Sequence, residues 1–219
     1  MLNPVFLLET PASLGLSAYA FTLHDLANYD YSALLKQRLK ALREDLDSQR
    51  KHFSRQGFEE LRLRIGRSAK RFPASPQALA EQYQRTGQLP VISPVVDLYN
   101  HWSLHSGLSI GAHDLTTLRL PVSLAICQGG EVFQGLGSEH RTALPAGEYV
   151  YLDGAGQVLC RMEYRQCAAS VLQPHTRAAL FIVQGHAHTD PDELRRVAEG
   201  LKADLKHYCC GPRQTSKVA

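Results

Sequence analysis

Residues Pro90–Leu115 read PVISPVVDLYNHWSLHSGLSIGAHDL. One short segment holds an apolar run, the pair Tyr99-Asn100, three histidines (His101, His105, His113), Asp97 and Asp114. Polar groups at that density inside an apolar frame are costly unless they are hydrogen-bonded or used. The stretch after Pro94 is expected to be helical through Leu104 and to turn at Gly107. His101 and His105, four apart, share a face of such a helix.

Outward from this segment, the character of the chain differs on the two sides. Before it, Pro4 to Thr22 alternates apolar and small residues and reads as one or two strands. Asn28 to Asp47 reads as a helix with an apolar stripe of Leu34, Leu35, Leu39, Leu42 and Leu46, and Phe53 to Leu63 as a further helical piece around Gly57. Ser75 is expected to cap a helix that runs from Pro76 to about Thr86 and stops at Gly87. After it come short β-rich runs at 117–127, 131–136, 148–152, 157–164 and 179–184, divided by glycine- and proline-rich turns. Asp190-Pro191 opens a last amphipathic helix to about Tyr208.

The order and spacing of these pieces resemble the B3/4 domain, the tRNA-editing domain of the bacterial phenylalanyl-tRNA synthetase β subunit. Val95-Val96-Asp97, Asn100 and Gly111-Ala112-His113-Asp114 hold the places of that family's opening motif. Pro145–Asp153, Val158–Arg161 and Ala178–Gln184 fit its later strands, so the likeness covers roughly residues 89–185. Two positions depart from it. The family's histidine is Gly111 here, with His113 at the aromatic position, and where a closing-strand glutamate is common this chain offers only Gln184.

The resemblance implies an α+β fold, a B3/4-like β-sandwich core with peripheral helices. Residues 1–88 are expected to supply N-terminal strands and a basic helical arm, 89–211 the editing core with its C-terminal helix, and 212–219 a flexible tail. It also implies a freestanding, trans-acting aminoacyl-tRNA deacylase, a hydrolase that cleaves the ester of a mischarged tRNA. Some freestanding relatives suggest canavanyl-tRNA(Arg) as the substrate. The other reading left open is a non-catalytic module that binds tRNA or a free amino acid.

An aminoacyl ester is already activated, so its hydrolysis needs a placed water and donors for the oxyanion more than a strong nucleophile. Tyr99 and Asn100 are the candidate catalytic residues. Each has a structural alternative, as a core aromatic and as an amide satisfying a helix end. His113, Gly111, Gln184 and Arg161 are the candidate substrate contacts. Asp97 and Asp114 read as structural, and His186, His188 and Asp190 as a surface loop.

Charge is concentrated in one window. Residues 36–71 hold twelve Lys/Arg against five Asp/Glu, a balance of +7 that leaves −4 for the remainder of a +3 chain. Such a window is either a solvated helix face or an arm that contacts phosphate. Arg62, Arg64, Arg67, Lys70 and Arg71 are the candidate tRNA contacts. No HExxH, GxGxxG or Walker sequence is present, and no cofactor or metal is expected. The five cysteines form no CxxC pair, so no disulfide framework is expected. The first residues lack a basic n-region and carry Glu9, no run is long enough to span a bilayer, and the protein is expected to be cytoplasmic.

Overall fold

The structure, a computed structural model, describes residues 4–49 and 56–211. Arg50, Lys51 and Arg55 of the basic window, the start of the 53–63 helical expectation and the tail 212–219 lie outside the described residues.

The elements in chain order are β1 (Phe6–Leu8), β2 (Ser17–His24), α1 (Ala33–Gln49), α2 (Gln56–Arg64), α3 (Ser75–Thr86), α4 (Pro94–Ser106), β3 (Ser109–Asp114), β4 (Val122–Ile126), β5 (Val132–Phe133), β6 (Thr142–Ala143), β7 (Tyr149–Leu152), β8 (Val158–Arg161), β9 (Arg165–Gln166), β10 (Ala178–Gly185) and α5 (Pro191–Cys209). Three sheets result, ordered β1-β4-β7-β8-β9, β2-β10-β3 and β5-β6. The fold is α+β, as the resemblance implies.

Strand β10 explains how the layers stack. Its residues alternate between two faces, as strand geometry requires. Ala179, Phe181 and Val183 join a core with the helices, where Leu35, Leu39, Leu98, Val197 and Leu201 pack. Leu180 and Ile182 join a second core with the five-stranded sheet, where Val122, Leu124, Tyr149, Val150 and Leu159 pack. The three-stranded sheet is thus the middle layer, with helices on one face and the larger sheet on the other. A strand buried on both faces reads as a continuous apolar run, which is why Ala178–Val183 shows no polar alternation.

The helices follow their sequence signals with two differences. In α1 the stripe of Leu35, Leu39, Leu42 and Leu46 is buried, but Leu34 points outward and is 57% exposed. In α3 the cap position falls on Ala74, one residue earlier than expected, and no side chain caps it. Ser75 instead shares a hydrogen bond with Ser109 at 2.8 Å between the hydroxyl oxygens, which ties the start of α3 to β3. The strand β3 itself carries no clear sequence signal; Gly111 and three polar residues break its pattern. Its backbone pairs antiparallel with β10, setting Gly111 opposite Ile182 and His113 opposite Leu180.

Candidate functional site

Two short elements bring the polar residues of the 90–115 segment together. Helix α4 carries Tyr99 and Asn100. Strand β3 carries Ser109, Gly111 and His113 on one face, two residues apart each time. These residues, with Ser75, Tyr151, Cys160, Glu163, Tyr164 and Gln166, line one cavity of about 160 Å3. Tyr99 and Asn100 are 8% and 9% exposed. Neither side chain has a hydrogen-bond partner among the described residues, so both polar groups are available to a ligand. Burial pushes the Tyr99 hydroxyl well above its ordinary range, so it stays protonated.

His113 is held from the opposite side. Its Nδ1 lies 2.7 Å from the Ser170 hydroxyl and 3.2 Å from the Gln166 amide nitrogen, which is a donor only. That assigns Nδ1 as the acceptor and leaves the proton on Nε2. Burial drives the imidazole pKa down to about 4. The ring is therefore neutral in the native protein at neutral pH, whereas an unfolded histidine titrates near 6.5. Stability from the neutral ring is complete above about 6.5 and is lost as pH falls toward about 4, because only the unfolded chain binds the proton in that window. Denaturant unfolding at pH near 7 and near 5 should show a smaller acid loss for His113→Gln than for the parent. Parallel losses would mean that the native ring takes up the proton in place.

Glu163 is a cavity residue that sequence reasoning missed. It sits in the three-residue link between β8 and β9, as a central residue of the β-turn in which the Tyr164 amide donates to the Arg161 carbonyl at 2.9 Å. Met162 and Glu163 have φ of 51° and 40°. Both central residues in the left-handed region make this a type I′ turn, which normally selects glycine or asparagine. Met-Glu carries no such signal, and the sequence there reads as one strand through Tyr164.

Arg62 holds the turn in place. Its guanidinium donates to the Met162 carbonyl at 2.6 Å, to Glu163 Oε1 at 2.6 Å, to the Phe72 carbonyl at 2.9 Å and to the Tyr149 hydroxyl. Gln184 donates to Glu163 Oε2 at 2.8 Å and accepts from Tyr151. Burial pushes the Glu163 carboxyl up, and the Arg62 charge opposes that shift. Arginine stays charged at any accessible pH, so the pair neutralises itself inside the core.

Three of the expected roles are corrected by these positions. Arg62 is 1% exposed and cannot touch a phosphate; it is a core residue supporting the cavity. Gln184 does not line the cavity but lies behind it, fully buried, where it positions Glu163 and Tyr151. Arg161 grips the buried Glu148 with two hydrogen bonds of 2.6 and 2.7 Å and also stays outside the cavity. Burial works to raise the Glu148 carboxyl, but Arg161 and Arg67 outweigh it and hold the acid below its ordinary range. Arg67 reaches the same carboxylate at 2.5 Å. Arg64 donates to the Leu14 carbonyl at 2.9 Å, while Lys70 and Arg71 are exposed.

The remaining polar candidates have structural work. Asp97 accepts from Tyr31 at 2.7 Å and from the Ile92 amide at 2.8 Å. Asp114 caps the turn that follows β3 by accepting from the Thr116 amide at 2.9 Å. Gly57 brings α2 against the loop after β10. A Cβ there would stand 2.2 Å from the His186 ring, so a larger residue would force that ring to move. All five cysteines are free thiols. Cys160 lines the cavity, but burial raises its thiol far above neutrality, which removes it as a thiolate nucleophile. Among the described residues no three metal-ligating side chains come together, and no helix is long and apolar enough to cross a membrane.

The family model of the B3/4 domain matches residues 59–209. The chain belongs to the B3/4 domain family. The match begins thirty residues earlier than the stretch in which the resemblance is legible by eye. It therefore takes in Arg62 and the whole support of the Met162-Glu163 turn. The fold is also similar to the crystal structure of an N-terminal fragment of the phenylalanyl-tRNA synthetase β-subunit from Pyrococcus horikoshii, with a TM-score of 0.54 and 11% identity. That likeness covers 95% of this chain and 49% of the fragment, so the chain spans about half the fragment's length. No curated protein matches the sequence.

Proposed function

We propose that this B3/4 domain hydrolyses the ester of mischarged aminoacyl-tRNA, acting in trans on tRNA that a synthetase has released. The observation that carries the reading is the cavity shared by Tyr99, Asn100, Gly111 and His113. Two unpartnered polar side chains and a neutral imidazole face one small space, as a placed water and a developing oxyanion need. Asn100 offers a carbonyl acceptor to orient water and an amide to donate to the oxyanion. Tyr99 offers a second donor. Cys160 is held as a thiol, and the Ser75 and Ser109 hydroxyls bond to each other rather than to a base, which suits direct attack by water on an activated ester.

Glu163 bears on the amino acid that is read. A carboxylate at the cavity wall retains acceptor capacity beyond its bonds to Arg62 and Gln184. It would favour an aminoacyl side chain rich in N–H donors, and canavanyl-tRNA(Arg) is the first such ester to test. Gly111 sets the room available. A Cβ built there meets nothing within 4 Å, so a larger residue would project into open space. Gly111→Leu is expected to abolish release of a bulky amino acid while leaving stability within about 1 kcal/mol of the parent. Full activity in that variant would put the aminoacyl group elsewhere.

Contact with tRNA is assigned to the exposed cations beside this face. Arg64 and Arg67 are partly committed to protein partners, which leaves Lys70 and Arg71 as the principal phosphate contacts. Each neutralised phosphate should contribute about −0.7 to −0.9 to the log–log salt slope of binding. Lys70→Glu/Arg71→Glu should weaken binding of every tRNA and flatten that slope, yet leave hydrolysis of an aminoacyl-adenosine unchanged. If the variant binds tRNA as tightly as the parent, the basic window is only a solvated face. The whole reading is tested by hydrolysis of that minimal ester, which a module that merely binds tRNA would leave intact.

A further inference from the structure

The side of α4 turned toward α1 holds a second cavity, of about 300 Å3, that shares no lining residue with the first. Leu39, Leu89, Pro90 and Val91 form its apolar walls. Lys36 and Arg43 stand at its edge, both exposed, on the same face of α1 as Leu39 at spacings of three and four. Neither cation makes an ion pair among the described residues.

His101 closes the inner end. It is 6% exposed, and its Nδ1 lies 2.7 Å from the Asp97 carbonyl oxygen. A carbonyl only accepts, so Nδ1 carries the proton and Nε2 presents a lone pair. Burial lowers the imidazole pKa, and Arg43 pushes the same way against the Asp97 bond. Nε2 is on the ring edge farthest from the helix. It is buried and has no hydrogen-bond partner among the described residues. An orphaned buried acceptor is costly, and a ligand that donates to it would relieve that cost. The neighbouring Asp97 carboxylate, bonded to Tyr31 at 2.7 Å, adds acceptor character at this end. The lining therefore combines a buried acceptor, an apolar wall and two exposed cations.

We propose that this cavity binds a small organic anion with an apolar body, its hydrogen-bond donor against His101 Nε2 and its anionic group between Lys36 and Arg43. The site stands independently of the deacylase reading. A free aromatic acid and a nucleotide both have this chemistry, through a phenol or exocyclic amine at one end and a carboxylate or phosphate at the other.

The test is amide chemical-shift titration of the full chain with 4-hydroxyphenylacetate and with adenosine 5′-monophosphate. The comparison probes are phenylacetate, which lacks the donor, tyramine, which replaces the anion by a cation, and inorganic phosphate, which lacks the apolar body. At least one of the first two should bind, with shifts confined to residues 36–43 and 89–101. Its affinity should exceed that of its comparison probes by about tenfold, the scale of one hydrogen bond to a buried acceptor. His101→Phe keeps an aromatic ring but removes the Nε2 acceptor together with the Nδ1 bond to the Asp97 carbonyl, and should weaken binding by the same factor. Lys36→Glu/Arg43→Glu changes only exposed residues and should remove anion binding outright. Binding of the acid alone would indicate a metabolite, and of the nucleotide alone a nucleotide source. Three results would each overturn the proposal: no binding by either anion, equal binding of inorganic phosphate or tyramine, or affinities that neither variant changes.

Discussion

Asn100→Ala is expected to lower ester hydrolysis by about a hundredfold, the effect of removing one hydrogen bond made in the transition state. The residue leaves α4 beside Tyr99 and faces the 160 Å3 cavity with no partner of its own. Its removal should therefore cost little stability, since no internal bond is broken. Hydrolysis of aminoacyl-adenosine, with the unfolding midpoint measured alongside, separates the two effects. Activity within twofold of the parent in a folded variant would remove Asn100 from the chemistry. A large loss of stability would instead make it a structural amide, the alternative its sequence context allows.

The largest expected effect on the fold comes from Arg62. Arg62→Met strips four donor contacts and leaves the Glu163 carboxylate buried without its counter-charge. Breaking one side of a buried pair typically costs about 3–5 kcal/mol, a large part of the 5–15 kcal/mol that holds an ordinary domain together. Denaturant unfolding should show that loss. Adding Glu163→Gln should recover part of it, because no uncompensated charge then remains. If Arg62→Met alone costs under about 1 kcal/mol, Glu163 is protonated in the native core and the turn does not depend on the ion pair. The same variant should also lose cavity function, since the Met162-Glu163 turn is a left-handed conformation that these side chains disfavour.

What the sequence revealed follows from which physical signals are local. The apolar spacing of α1 and α5, the glycine stops after α3 and α4, and the strand runs divided by Gly/Pro turns are local, and they appear in the fold. The convergence of Tyr99, Asn100, Gly111 and His113 was legible because they lie in one segment with an identifiable order. The support behind them was not. Arg62 reads as one of several alternating arginines in a basic window, and only tertiary structure shows that one faces the core. Gln184 lies at the end of an apolar strand, and nothing in the sequence says that it turns toward Glu163. Glu163 owes its place to a turn that its own residue types argue against, so propensity points the wrong way there. The strand β3 was obscured for the same reason as the cavity it lines: Gly111 and His113 interrupt an apolar pattern to leave an open, polar face.

The central claim is the cleavage of an aminoacyl ester in the cavity between α4 and β3. It is tested most directly by incubating the purified full chain with a panel of tRNAs, each charged with its correct and incorrect amino acids and with canavanine on tRNA(Arg). The account predicts release of amino acid from at least one mischarged species well above the spontaneous rate, with correctly charged tRNA spared and Asn100→Ala inactive. Tight binding of charged tRNA with every ester left intact would contradict it.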